Sequence, residues 1–75
     1  MNYTETFATN LRVERAKRKL TQAEVAGAVG ITQAALCRYE DGTRTPTLPI
    51  LERFADYYET TLDYLVGREV VPSIN

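Results

Sequence analysis

Apolar positions recur along this chain at helical spacing, not at the two-residue period of strands. Phe7 and Leu11 stand four apart; Val25, Ala26 and Val29 share a face, as do Leu36 and Tyr39. Leu48, Leu51, Phe54, Ala55 and Tyr58 extend the same pattern, and Leu62, Leu65 and Val66 close it. Start and stop signals divide this pattern into five helices. Asn2 or Thr4 caps a first helix over about residues 4–18, and Thr21 with Glu24 forms a capping box for a second. Gly30 ends the second helix, where a positive φ suits glycine. Thr32 caps a third helix at about Gln33 to Asp41, which Gly42 ends. Thr47 caps a fourth helix through about Tyr58, with Pro49 tolerated in its first turn. Thr61 caps a short fifth helix, which Gly67 ends. The class is therefore all-α, in one domain spanning residues 1–75, with a core at about 7–66 and a tail at 67–75 that frays or lies along a partner.

The stretch from Gln22 to Asp41 reads as two short helices joined by a tight turn. Ala26 is small where steeply crossing helices need a small residue, and Ile31 turns inward after Gly30. That is a helix-turn-helix, with the second helix free to enter a DNA groove. Charge modifies the picture without excluding it. The net charge is −1, but residues 1–50 carry seven basic side chains against five acidic, and residues 51–75 carry two against five. A basic face opposite an acidic one is compatible with nucleic acid.

Composition excludes several other classes. A chain of 75 residues buries only about 60% of its unfolded surface, so its stability margin is thin. One cysteine and no histidine leave no disulfide framework and no ordinary zinc site. No metal, cofactor or small-molecule ligand is expected. There is also no histidine base, Gly-rich phosphate loop or nucleophile–base pairing, so the chain is not read as an enzyme. With no run of about 18 apolar residues and no opening signal segment, no membrane association is expected, and the location is expected to be cytoplasmic.

The segment TQAEVAGAVGITQAALCRYEDGTRTP resembles the helix-turn-helix family of phage repressors, Cro proteins and bacterial Xre-type regulators. Apolar Val25, Val29, Ile31, Leu36 and Tyr39, small Ala26 and turn Gly30 carry the resemblance together, and it extends from about Phe7 to Val66. It implies a five-helix lambda-repressor-like DNA-binding domain. Lys19 and Glu59 depart from it, standing where family members often carry a helix-ending glycine; each costs on the order of 1 kcal/mol if the backbone there is left-handed.

The expected function is sequence-specific binding of double-stranded DNA as a transcriptional regulator, most simply a repressor acting as a homodimer on a palindromic operator. Gln33 heads the base-contacting face, because a glutamine amide can bond adenine N6 and N7 together; the resemblance implies the same role. Arg38 can reach a guanine edge or a phosphate. Ala34 offers a methyl group to thymine, and Cys37 shares the outward face as a small residue that does not crowd the groove. Reading groups this sparse predict a share of specificity from DNA shape. Gln22, Thr32, Thr43, Arg44 and Thr45 are the expected phosphate contacts. Arg15 falls beside the inward stripe and requires a carboxylate there; the resemblance implies Glu40 as its partner in a structural ion pair. Ile50, Tyr57 and Tyr64 lie outside the inward rows. With Val66 and the Val70–Val71–Pro72 tail they exceed what one core requires, which predicts a dimer interface. The alternative is a protein-interaction module, for example an antitoxin-like partner whose acidic half meets a basic surface.

Overall fold

Four of the five helices begin on a side chain that accepts an otherwise unpaired backbone N–H. In the computed structural model, which describes residues 2–68, these helices are α1 (Tyr3–Lys17), α2 (Gln22–Val29), α3 (Gln33–Asp41), α4 (Leu48–Tyr58) and α5 (Leu62–Leu65). Asn2, not Thr4, caps α1, accepting the Thr4 N–H at 2.7 Å. Thr21 and Glu24 complete the capping box of α2, and Thr32 and Thr61 cap α3 and α5. Thr47 precedes α4 without a side-chain cap bond; Pro49 in the first turn removes one N–H that would need a partner.

Helix ends reverse through left-handed residues. Gly30 (φ 83) and Gly42 (φ 80) do so at little cost, whereas Lys19 (φ 56) and Glu59 (φ 55) carry the strain that their side chains impose. Each reversal is tied by a bond that reaches back over the last turn: Leu20 N–H to Arg15 O, Ile31 to Ala26, Thr43 to Arg38 and Thr60 to Ala55.

The apolar rows converge on one core. Phe7, Leu11, Val25, Leu36, Phe54 and Leu65 are fully buried. Phe54 meets Phe7 and Tyr39 edge-on, with centroids at 5.7 and 6.3 Å, and stacks on Tyr58 at 6.4 Å.

A buried polar cluster joins α1 to the C-terminal helices. Glu14 follows Phe7 and Leu11 on the inward row and is only 4% exposed. Its carboxylate accepts from Arg18 at 2.6 Å, Tyr64 Oη at 2.7 Å and Lys17 at 3.3 Å. Arg18 also donates to Tyr58 O at 2.9 Å, and Asn10 donates to the Tyr64 and Leu65 carbonyls at the end of α5. Burial alone would push the Glu14 carboxyl upward, but Arg18, Tyr64 and Lys17 together outweigh it and hold the group below its ordinary value of 4.5. A carboxyl depressed by folding contributes stability that is present above its unfolded pKa and lost as pH falls through its folded one. Acidifying from about pH 6 to about pH 3 is therefore expected to lower the melting temperature more in the parent than in Glu14→Gln. Equal losses, read by circular dichroism, would contradict this role.

The expected dimer residues do not form an exposed excess. Ile50, Tyr57 and Tyr64 are half-buried and pack against the core, Tyr57 beside Tyr58 at 5.0 Å. Val66 is half-buried at the C-cap of α5, and Val70–Val71–Pro72 lies outside the described residues. The larger apolar exposure is at Tyr3 (45%) and Leu48 (58%). Together with Pro46, Leu51 and Val66 these two line a groove of about 580 Å³ between the start of α1 and the end of α5.

Candidate nucleic-acid interface

The seating of α3 depends on one buried carboxylate. Glu40, 4% exposed, accepts from Arg15 Nε at 2.7 Å and Arg15 Nη2 at 3.0 Å, a two-point pairing of guanidinium with carboxylate. Gln22 Nε2 donates to the same carboxylate at 3.0 Å. Arg15 Nη1 donates to Leu20 O at 3.0 Å, and Arg12 donates to the Glu40 carbonyl. The bonds to Glu40 raise the Arg15 pKa against the opposing effect of burial, so the guanidinium stays charged. Helices α1, α2 and α3 thus meet at Glu40, which fixes the roll of α3 about its axis.

With Leu36 and Tyr39 turned inward, α3 presents Gln33, Ala34, Cys37 and Arg38 to solvent. These positions are i, i+1, i+4 and i+5, one face of a helix. Gln33 and Arg38 make no side-chain hydrogen bond among the described residues, so both keep their full donor capacity. A helix of nine residues is about 13 Å long, comparable to the width of the major groove, about 12 Å.

The expected phosphate contacts are less uniform. Gln22 is half-buried and spends one amide N–H on Glu40; its backbone N–H, at the first position of α2, lies outside the intrahelical ladder. Thr32 accepts the Ala35 N–H at 3.0 Å as a cap and keeps its own hydroxyl hydrogen. Arg44 is exposed and stacks over the Tyr39 ring at 5.6 Å, which orders its guanidinium without using its donors. Thr45 shares a hydrogen with Thr4 across 3.0 Å. Thr43 is not a free donor. Its hydroxyl donates to Asp41 Oδ1 at 2.6 Å, and its N–H is divided between Asp41 Oδ1 and Arg38 O at 3.0 and 3.1 Å.

Sequence reasoning missed Glu14, the Gln22–Glu40 bond and the role of Asp41. Two of the three had a signal. Glu14 continues the Phe7–Leu11 row, and Asp41-Gly42-Thr43 is the spacing at which an aspartate side chain bonds backbone two residues on.

Comparison with known proteins places this geometry. Residues 6–66 match a helix-turn-helix domain family. The HTH-type transcriptional regulator YqaE of Bacillus subtilis is 38% identical over 63 residues, covering 84% of this chain and 54% of the relative. The cryptic phage CTXphi transcriptional repressor RstR of Vibrio cholerae is 35% identical over 61 residues, covering 81% and 55%. The chain spans about half the length of these curated relatives. Among solved structures, the P22 c2 repressor in complex with a synthetic operator superposes with a TM-score of 0.78 at 24% identity, covering 84% of this chain and 96% of that one. Sequence and fold agree: the chain belongs to the helix-turn-helix domain family, and its fold is the one seen in the P22 c2 repressor.

Proposed function

We propose that this chain binds double-stranded DNA sequence-specifically and regulates transcription as a repressor, acting as a homodimer on a palindromic operator from the cytoplasm. The observation that carries this reading is the uncommitted face of α3. Gln33, Ala34, Cys37 and Arg38 are exposed side by side, while the helix behind them is held rigidly by Glu40. The relatives named as a transcriptional regulator and a repressor, and the P22 c2 repressor solved with an operator, support it.

In this reading α3 lies in the major groove. Gln33 bonds an adenine edge, Arg38 reaches a guanine or the neighbouring phosphate, and Ala34 and Cys37 pack against thymine methyls. The start of α2 at Gln22, Thr32, Arg44 and, more weakly, Thr45 fix the register on the backbone. So few reading groups leave part of the specificity to deformation of base pairs that the protein does not touch. Dimerisation uses the end of the molecule where Tyr3, Leu48, Leu51 and Val66 line the groove. The acidic second half and this apolar groove favour the protein-interaction module as the second reading; a chain that shifts no duplex at low salt belongs to it.

Gln33→Ala is expected to weaken binding to the preferred sequence by 1–3 kcal/mol, roughly 5- to 150-fold, and to leave random-sequence binding unchanged. Fluorescence anisotropy on both duplexes checks this. An equal loss on both would assign Gln33 to the backbone.

A further inference from the structure

We propose that Asp41 restrains DNA affinity, its carboxylate repelling a backbone phosphate and holding the Thr43 hydroxyl that the phosphate would otherwise take. The inference rests on the DNA-binding reading above and concerns the phosphate-facing loop that follows α3.

Asp41 is the last residue of α3 and is exposed. The helix macrodipole is negative at this end, so a carboxylate here is unfavourable to the helix itself. What it gains is Thr43. The hydroxyl of Thr43 donates to Asp41 Oδ1 at 2.6 Å and its N–H to the same oxygen at 3.0 Å. A backbone N–H and a hydroxyl converging on one anionic oxygen are also the donor set that proteins offer to a DNA phosphate. Arg38 and Arg12 attract the same carboxylate, and Arg44 is two positions beyond Gly42. The Thr43 hydroxyl and N–H, ahead of these weaker attractions, hold the Asp41 carboxyl below its ordinary value, which keeps it charged at neutral pH. A phosphate approaching this basic loop therefore meets a fixed negative charge, and the donors that would bind it are already spent.

Two substitutions separate this role from plain turn formation. Asp41→Asn keeps an acceptor for Thr43 and removes the charge; Asp41→Ala removes both. Because phosphates carry no sequence information, the effect is the same on random and operator duplexes. Asp41→Asn is expected to lower Kd about threefold in dilute salt, the size of one exposed charge interaction, and Asp41→Ala to lower it further by releasing the Thr43 hydroxyl, the N–H remaining bonded to Arg38 O. Thr43→Val is expected to leave the parent nearly unchanged but to weaken the Asp41→Ala chain, a coupling that a double-mutant cycle reads directly.

Anisotropy titrations against a random-sequence duplex decide the matter, with matched melting curves to show that each variant folds. An Asp41→Asn affinity equal to or weaker than the parent's overturns the inference while leaving DNA binding intact. So does a Thr43→Val loss of the same size in both backgrounds. Absence of binding by parent and variants alike overturns the DNA-binding reading and this inference with it. Binding by Asp41→Asn where the parent shows none supports it.

Discussion

Glu40→Gln is expected to lower the melting temperature by about 15 °C. The carboxylate receives two donors from Arg15 and one from Gln22 and is nearly buried. Glutamine keeps the shape but turns an NH2 toward one of these donors and removes the charge that Arg15 needs. Removing one partner of a buried pair costs about 3–5 kcal/mol, mainly through the charge left behind. Arg15 keeps a quarter of its side-chain surface, so water relieves part of the loss and the lower end, about 3 kcal/mol, applies. In a domain of this size each kcal/mol moves the transition by about 4–8 °C. Because the same carboxylate sets the roll of α3, DNA affinity should fall even at temperatures where the variant remains folded. Thermal denaturation checks the stability; a shift of only a degree or two would mean that Arg15 finds water without cost.

Phe54→Ala should be more damaging still. Phe54 is fully buried and touches rings from three directions: Phe7 on α1, Tyr39 on α3 and Tyr58 on its own helix. No single neighbour can relax into the space without leaving another contact. Truncations of this kind cost about 3–5 kcal/mol, against a total stability of roughly 5 kcal/mol for a small domain. The variant is expected to be mostly unfolded near 37 °C, read as loss of the helical signal. A cooperative transition within a few degrees of the parent's would show that the aromatic cluster is looser than its geometry implies.

Much of the fold was legible because local signals and the apolar period pointed the same way. Thr21 with Glu24, the glycines at 30 and 42, and Pro49 mark helix ends by their own chemistry, and the helices begin and end within a residue or two of those marks. Lys19 and Glu59 show a different logic. Nothing in either side chain favours a left-handed backbone, but the neighbouring bonds from Leu20 and Thr60 impose it. At the candidate interface the outward face of α3 followed from helix periodicity alone. Periodicity could not reveal which donors on that surface are already engaged. Thr43 looks available in a sequence and is committed in the structure, and Gln22 is divided between Glu40 and solvent. Long-range pairings of this kind depend on how helices cross. The same reason explains the dimer residues: Tyr57 and Tyr64 fall off the inward rows of their own helices, yet α1 and Tyr58 cover them.

The exposed face of α3 is expected to read DNA sequence. Selecting bound fragments from a pool of random duplexes tests it most directly, because binding, symmetry and spacing are read together. The expected result is enrichment of an inverted repeat whose half-sites lie about one helical turn apart, roughly 34–36 Å, with binding that weakens steeply as salt rises. Recovery of fragments with no common sequence, or of none at all, would contradict it.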